Sequence, residues 1–286
     1  MNKIVKRILI ALGAFLGIIV LVVGGYVIYV VASYSRIEDN LALTPENSSG
    51  GAVRTGEEYT VVTQNLGFGA YTADFTFFMD GGKDSRAKSA ESVRDCMAKA
   101  YDEIKGYSPD FVFLQEVDTD STRSHHVNER AAFDEKFADY SKVFAVNYHS
   151  AYLMYPLHEP HGKSNSGILT FSKNGFSSAL RRSLPIADDM KKLLDLDRCY
   201  SVSRIPTENG KEFLLYNVHT SAYGGSDEIR AAQMTMLFSD MQAEYANGNY
   251  CVAGGDFNHD FRKDRGRGRN PRVGRRRARK VGEETR

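Results

Sequence analysis

Phe111-Val112-Phe113-Leu114-Gln115-Glu116-Val117 is the stretch on which the reading of this chain turns. Four apolar residues run together and end on an amide and a carboxylate, which suits a short strand buried on both faces and finished by a polar group. Upstream, apolar side chains at Ala90, Val93, Met97, Ala100 and Ile104 keep helical spacing through Ser85 to Ile104, and Gly106 and Pro109 close that segment. Before it, Tyr59 to Leu66 reads as a buried strand entering the turn Gly67-Phe68-Gly69. Downstream, Phe213 to His219 repeats the strand pattern, and a helix capped by Ser226 follows through Ile229, Ala232, Met236 and Leu237. Asn247-Gly248-Asn249 stops that helix, and Tyr250 to Gly254 opens another strand. Strands alternating with helices predict an α/β fold rather than a helical bundle or an all-β sandwich.

Polar residues recur where these apolar strands end: Asn65, Glu116, His219, and Asp256 with Asn258. Polar residues terminate strands routinely, so each alone carries little. Together they supply an amide, a carboxylate, an imidazole and a further carboxylate and amide on what is predicted to be one rim. Hard oxygen donors with a proton-handling ring are the groups that hold Mg²⁺ or Mn²⁺ and attack a phosphate ester.

The motifs Thr63-Gln64-Asn65, Leu114-Gln115-Glu116-Val117, Asn217-Val218-His219-Thr220-Ser221 and Gly255-Asp256-Phe257-Asn258 resemble those of the endonuclease/exonuclease/phosphatase superfamily. That superfamily includes deoxyribonuclease I, apurinic endonucleases, neutral sphingomyelinases and inositol polyphosphate 5-phosphatases. The resemblance spans residues 58–261 and implies a two-sheet α/β sandwich of the deoxyribonuclease I-like type with outer helices. It further implies that Glu116 and Asn65 hold the metal, that His219 and Arg198 contact phosphoryl oxygens, and that Asp256 and Asn258 position or deprotonate the attacking water. Asn165-Ser166-Gly167-Ile168 also resembles a family segment. The family's terminal Ser-Asp-His motif does not occur in this chain, and the last strands of the fold are expected to be missing. Ordinary roles are expected for other residues: solvent exposure for most of His125, His126, His149, His158 and His161, and core packing for the aromatic-rich segment from Tyr148 to Tyr155.

Both ends of the chain differ from its middle. Residues 8–31 contain no charge, long enough at about 1.5 Å per residue to cross a hydrocarbon layer of about 30 Å. Lys3, Lys6 and Arg7 precede this span, so the positive-inside bias keeps residues 1–7 cytoplasmic and the rest of a single-pass cell-membrane protein outside. A cleaved signal is the competing reading. Residues 32–57 read as a linker. After Phe261 the composition switches abruptly, and residues 262–286 carry 12 Lys or Arg with almost nothing apolar. A basic disordered arm is one reading of this tail; out-of-frame translation beginning near codon 261 is the other, and it accounts for the switch falling directly after an intact motif.

Across the chain, 37 Lys and Arg nearly balance 36 Asp and Glu, but residues 32–261 hold 22 against 33, a net of −11. Such a domain repels polyanions at long range, so duplex binding needs the metal or local basic loops. Three cysteines without Cys-x-x-Cys spacing indicate neither a disulfide framework nor a zinc site. The function expected is that of a membrane-anchored, metal-dependent phosphodiesterase or phosphatase acting on nucleic acid or a phospholipid head group, impaired here by the absent Ser-Asp-His. The alternative is a non-catalytic surface protein that binds nucleic acid or anionic lipid through its basic tail.

Overall fold

The apolar runs singled out above become central strands because each has neighbours to cover both faces. The computed structural model describes residues 2–195, 197–223 and 225–258. In chain order its elements are α1 (Lys3–Ala32), β1 (Leu41–Leu43), β2 (Val61–Asn65), α2 (Ala90–Lys105), β3 (Phe111–Asp118), α3 (Glu129–Lys136), β4 (Ser141–His149), β5 (Asn165–Ser172), β6 (Ser178–Ser183), α4 (Lys192–Asp195), β7 (Cys199–Pro206), β8 (Glu212–His219), α5 (Asp227–Ala246) and β9 (Tyr250–Asp256). Ser89 and Ser226 cap α2 and α5, their hydroxyls accepting from the Ser92 and Ile229 amides.

Two mixed sheets result, one ordered β2-β3-β5-β4 and the other β1-β6-β7-β8-β9. Parallel pairing joins β2 to β3 and β8 to β9, while the remaining pairs are antiparallel. The sheets face each other across Phe111, Phe113, Val143, Ile205 and Leu215. Outside the first sheet, Val93, Met97 and Ile104 of α2 pack on Val112 and Leu114; outside the second, Leu237 of α5 packs with Tyr200, Leu214 and Tyr216. This is the helix-sheet-sheet-helix layering expected of the α/β sandwich.

A buried polar strut ties the two sheets together near the rim. Gln115 Nε2 donates to Asn217 Oδ1 at 2.8 Å, and Asn217 Nδ2 donates to the carbonyls of Leu169 (3.1 Å) and Leu114 (3.3 Å). With partners in place, these amides cost little to bury and hold β3, β5 and β8 in one relative position.

Two expectations need correction. The segment read as a linker is partly built into the domain: Leu41–Leu43 pair with Ala179–Arg181 of β6, and Val53 is buried between the sheets. Edge pairing is a long-range event that local composition does not reveal. The segment around Tyr148 to Tyr155 is not core either, since Tyr152, Met154 and Tyr155 are exposed. The tail at 262–286, and any strand beyond β9, lie outside the described residues. Helix α1 has no buried residue and is the one helix among the described residues long and apolar enough to cross a membrane, with mean hydropathy 2.8.

Candidate active site

The C-terminal ends of β2, β3, β8 and β9 bring the predicted residues to one rim. Register sets Asn65 beside Gln115 and His219 beside Asp256. Glu116 departs from regular strand geometry. It sits where the β3–β5 pairing shifts register between Leu114 and Val117, and its φ is +55°. A bulge of this kind re-aims a side chain, and a left-handed backbone at a non-glycine residue stores strain that the packed sheet must sustain. Gly255 meets a different demand. Its φ is +138°, and a Cβ there would lie 2.0 Å from the Val218 carbonyl oxygen, so glycine lets β9 close on β8 and present Asp256.

Asn65 is the hub of the acidic cluster. Its Nδ2 donates to Glu116 Oε1 at 3.0 Å and to Asp256 Oδ2 at 2.8 Å, while its Oδ1 accepts from the Gly67 amide at 2.8 Å. The amide therefore turns its NH₂ group, not its oxygen, toward the carboxylates. The Asn65 oxygen, the atom that the resemblance makes a metal ligand, faces the Gly67 N–H and keeps a second lone pair. Asp256 Oδ1 accepts from the Asn258 amide at 2.9 Å, and Asn258 Nδ2 donates to the Thr220 carbonyl at 3.0 Å with its backbone at φ +49°.

His219 is buried, with Asn147 Nδ2 and Arg198 Nη1 each 3.0 Å from its Nδ1. Arg198 Nη1 also lies 2.8 Å from Nε2, and Glu116 Oε1 lies 3.9 Å from Nε2. The Asn147 amide faces Nδ1, while the Arg198 guanidinium, a donor only, stands against both ring nitrogens. Burial, then the cations Arg198 and Arg123, push this imidazole well below the usual histidine range. The ring is neutral, a hydrogen-bond donor rather than a cation, and Arg198 beside it carries the positive charge.

Glu116, His219 and Arg198 line a cavity of about 80 Å³ together with Arg123, Asn147, Tyr71, His161 and Tyr223. Several of these were missed in the sequence. Arg123 is clamped by Asp118, with Nε–Oδ2 at 3.0 Å and Nη2–Oδ1 at 2.8 Å, and its Nη1 reaches to 4.0 Å from Glu116 Oε2. Burial works against its charge, but the Asp118 carboxylate outweighs that and keeps the guanidinium protonated. Glu129, also fully buried, accepts from the Asp118 amide at 2.9 Å; burial and the nearby Asp118 charge raise its pKa well above the ordinary carboxylate range. Burial, with Glu116 adding to it, raises Tyr71, so this phenol remains a donor. The one sequence signal for Arg123 is its place in the turn directly after the strand that carries Glu116.

The expected solvent exposure of the remaining histidines holds for His126 and His158 alone. His161 is buried against the Ser85 carbonyl, His149 pairs with the buried Asp197, and His125 reaches the Ala87 carbonyl at 2.6 Å. Each meets an acceptor supplied by a segment distant in the chain.

The model of the endonuclease/exonuclease/phosphatase family matches residues 62–282. The chain belongs to this family. Solved structures similar to this family member include an endonuclease/exonuclease/phosphatase from Beutenbergia cavernae, with 21% identity, TM-score 0.44 and coverage of 57% of this chain and 42% of that one. A second is ANGEL2, a 2',3'-cyclic phosphatase, with 18% identity, TM-score 0.47 and coverage of 76% and 57%. A third is truncated Caenorhabditis elegans TDP2, with 17% identity, TM-score 0.37 and coverage of 58% and 56%. The chain spans about half the length of each of these structures. No curated protein matches it in sequence.

Among the described residues there is no cluster of three or more His, Cys, Asp or Glu side chains poised around one point. The donor chemistry nonetheless fits a hard cation: Glu116 and Asp256 share Asn65 as a common hydrogen-bond donor, which holds two carboxylates at one place without a counter-charge between them. Four-ligand closure by protein groups is not required, because Mg²⁺ keeps several waters and binds through one or two carboxylates plus substrate oxygens.

Proposed function

We propose that this chain is a membrane-anchored, divalent-metal-dependent hydrolase of phosphate esters, with Mg²⁺ or Mn²⁺ held by the Glu116 carboxylate beside Asn65. The observation that carries the reading is Glu116 itself, which is kept in a strained left-handed backbone at a bulge so that its carboxylate faces His219 and Arg123 in one cavity and accepts from Asn65. Strain of this sort costs about 1–3 kcal/mol and persists where function demands the side chain's direction. Helix α1 supports the anchor by its length and apolar character.

When bound, the cation supplies Lewis-acid polarisation of the phosphoryl group and screens it from the carboxylates. The chain's own residues do the rest. Arg198 and neutral His219 contact phosphoryl oxygens, and the Asn147 amide orients that ring. Asp256, oriented by the Asn65 side chain and the Asn258 amide, accepts the proton of the water that attacks phosphorus. The P–O bond to the leaving group then breaks, and the ester oxygen departs with the bonding pair. Nucleic acid and phospholipid head groups are the candidate substrates, tested with a panel of DNA, RNA, sphingomyelin and phosphoinositide.

Calorimetric titration of the full chain with Mg²⁺ and Mn²⁺ tests the assignment independently of turnover. The parent should take up metal, and Glu116→Gln should bind at least about tenfold more weakly, as loss of a charged hard donor implies. Equal uptake by the two proteins removes Glu116 from the metal site.

A further inference from the structure

We propose that residues 151–157 form a second membrane contact, a loop that lies in the interfacial layer of the same bilayer that α1 crosses; this rests on α1 being the anchor. Residues 150–157 read Ser-Ala-Tyr-Leu-Met-Tyr-Pro-Leu, without a single charge in a domain that is otherwise acidic. Within them Tyr152, Met154, Tyr155 and Leu157 are exposed, Tyr155 at 69% and Leu157 at 81%. An uncharged cluster of exposed large side chains on an acidic domain marks an interaction surface.

What covers it is indicated by where the loop is held. The Tyr26 hydroxyl donates to the Tyr152 carbonyl at 3.2 Å and accepts from the Met154 amide at 2.9 Å, while the Tyr29 hydroxyl accepts from the Tyr152 amide at 3.1 Å. Tyr26 and Tyr29 stand on one face of the last turns of α1, their rings 6.4 Å apart. From Ile8, at about 1.5 Å per residue, Tyr26 lies about 27 Å along the helix, close to the outer boundary of a layer about 30 Å thick. Tyrosines at that depth belong to the interfacial belt. A loop whose backbone is hydrogen-bonded to them lies at the same height, so its outward side chains meet lipid. The absence of charge in the loop matches a surface whose attraction is apolar, and it removes the repulsion that the domain's acidic residues would feel near anionic head groups.

The contact also fixes the pose of the cavity. The Tyr155 ring lies 5.8 Å from that of Phe78, and the neighbours of Phe78 in the chain, Phe77 and Met79, line the cavity that holds Glu116 and His219. An aromatic rim therefore runs from the lipid-facing loop to the mouth of the active site, and a tether that would otherwise swing is held at two points.

The chain contains no tryptophan, so one introduced indole reports on one place. Full-length Leu157→Trp, Val20→Trp and Tyr245→Trp proteins are reconstituted in phosphatidylcholine vesicles with and without bromine on the acyl chains. Val20 is within α1, and Tyr245 is near the start of β9, at the end of the sheet away from His219. The Leu157→Trp emission should be blue-shifted and lose roughly half or more of its intensity in brominated vesicles, as an interfacial indole does. Tyr245→Trp should be unaffected. An unquenched, red-emitting Leu157→Trp overturns the proposal, as does a blue-shifted but unquenched one, which would place the loop against protein or a second copy. Val20→Trp decides the anchor separately. If it is quenched while Leu157→Trp is not, the loop proposal alone fails; if neither is quenched, both fall.

Discussion

Strands β3 and β9 carry the two carboxylates of the site, yet they are held very differently. Every residue of β3 except Glu116 is buried, and it is paired on both sides by β2 and β5. Strand β9 pairs only with β8 among the described residues, and none of its residues is fully buried. Two equally plain apolar runs thus differ in how firmly they fix their terminal acid. The stiffness at Glu116 comes from neighbours on four sides, and it is what sustains a left-handed residue in mid-strand; Asp256 depends instead on hydrogen bonds from Asn65 and Asn258.

The largest test of this contrast is truncation of one apolar side chain on each strand. Phe113→Ala, in the layer between the sheets, is expected to cost about 3–5 kcal/mol through lost burial and the cavity left behind. Val252→Ala, partly exposed on β9, should cost about 1 kcal/mol or less. Denaturant unfolding in detergent measures both, and comparable losses would show β9 to be as well packed as β3.

A pH series sharpens it further by separating the wall of the cavity from β9. Burial lowers His161 from 6.5 to about 4, so the folded protein binds that proton less readily than the unfolded chain. Stability is intact above pH 6.5 and is lost as the pH falls toward 4, by about 3 kcal/mol in total from this group. His219, also depressed, adds to the loss in the same direction. His161→Gln should flatten the acid limb of a plot of Tm against pH by its share, and an unchanged limb would show the ring to be solvated.

Smallest is the effect of Asn258→Ala, which removes the bond to the Thr220 carbonyl and is expected to cost about 1 kcal/mol. Hydrogen exchange should show the change confined to the end of β9, and spread into β3 would mean the two strands unfold as one unit.

Much of this molecule is legible in its sequence because the relevant signals are local. The capping serine at 226, the helical spacing from Val93 to Ile104 and the apolar run at 111–114 each declare their element within a few residues. The polar ends of four strands also point to one rim, since parallel pairing of β2 with β3 and of β8 with β9 aligns their C-terminal ends. What escapes is set by contacts distant in the chain. Leu41–Leu43 is a strand only because β6 offers an open edge. Asp118, Arg123 and Glu129 look like solvated charges in the sequence, and they become a buried network only because the turn after β3 folds them together beneath Phe68 and Tyr148. The orientation of the Asn65 amide likewise depends on a turn, through the Gly67 N–H.

The backbone at Glu116 has a consequence for anyone who would improve this protein. Glycine is the residue best suited to a φ of +55°, so at that position the change that relaxes the chain is also the one that deletes the carboxylate. A library screened only for survival at high temperature should drift toward glycine at 116 and accumulate robust, inert variants. Directed evolution of this scaffold therefore needs a selection that rewards chemistry in every round.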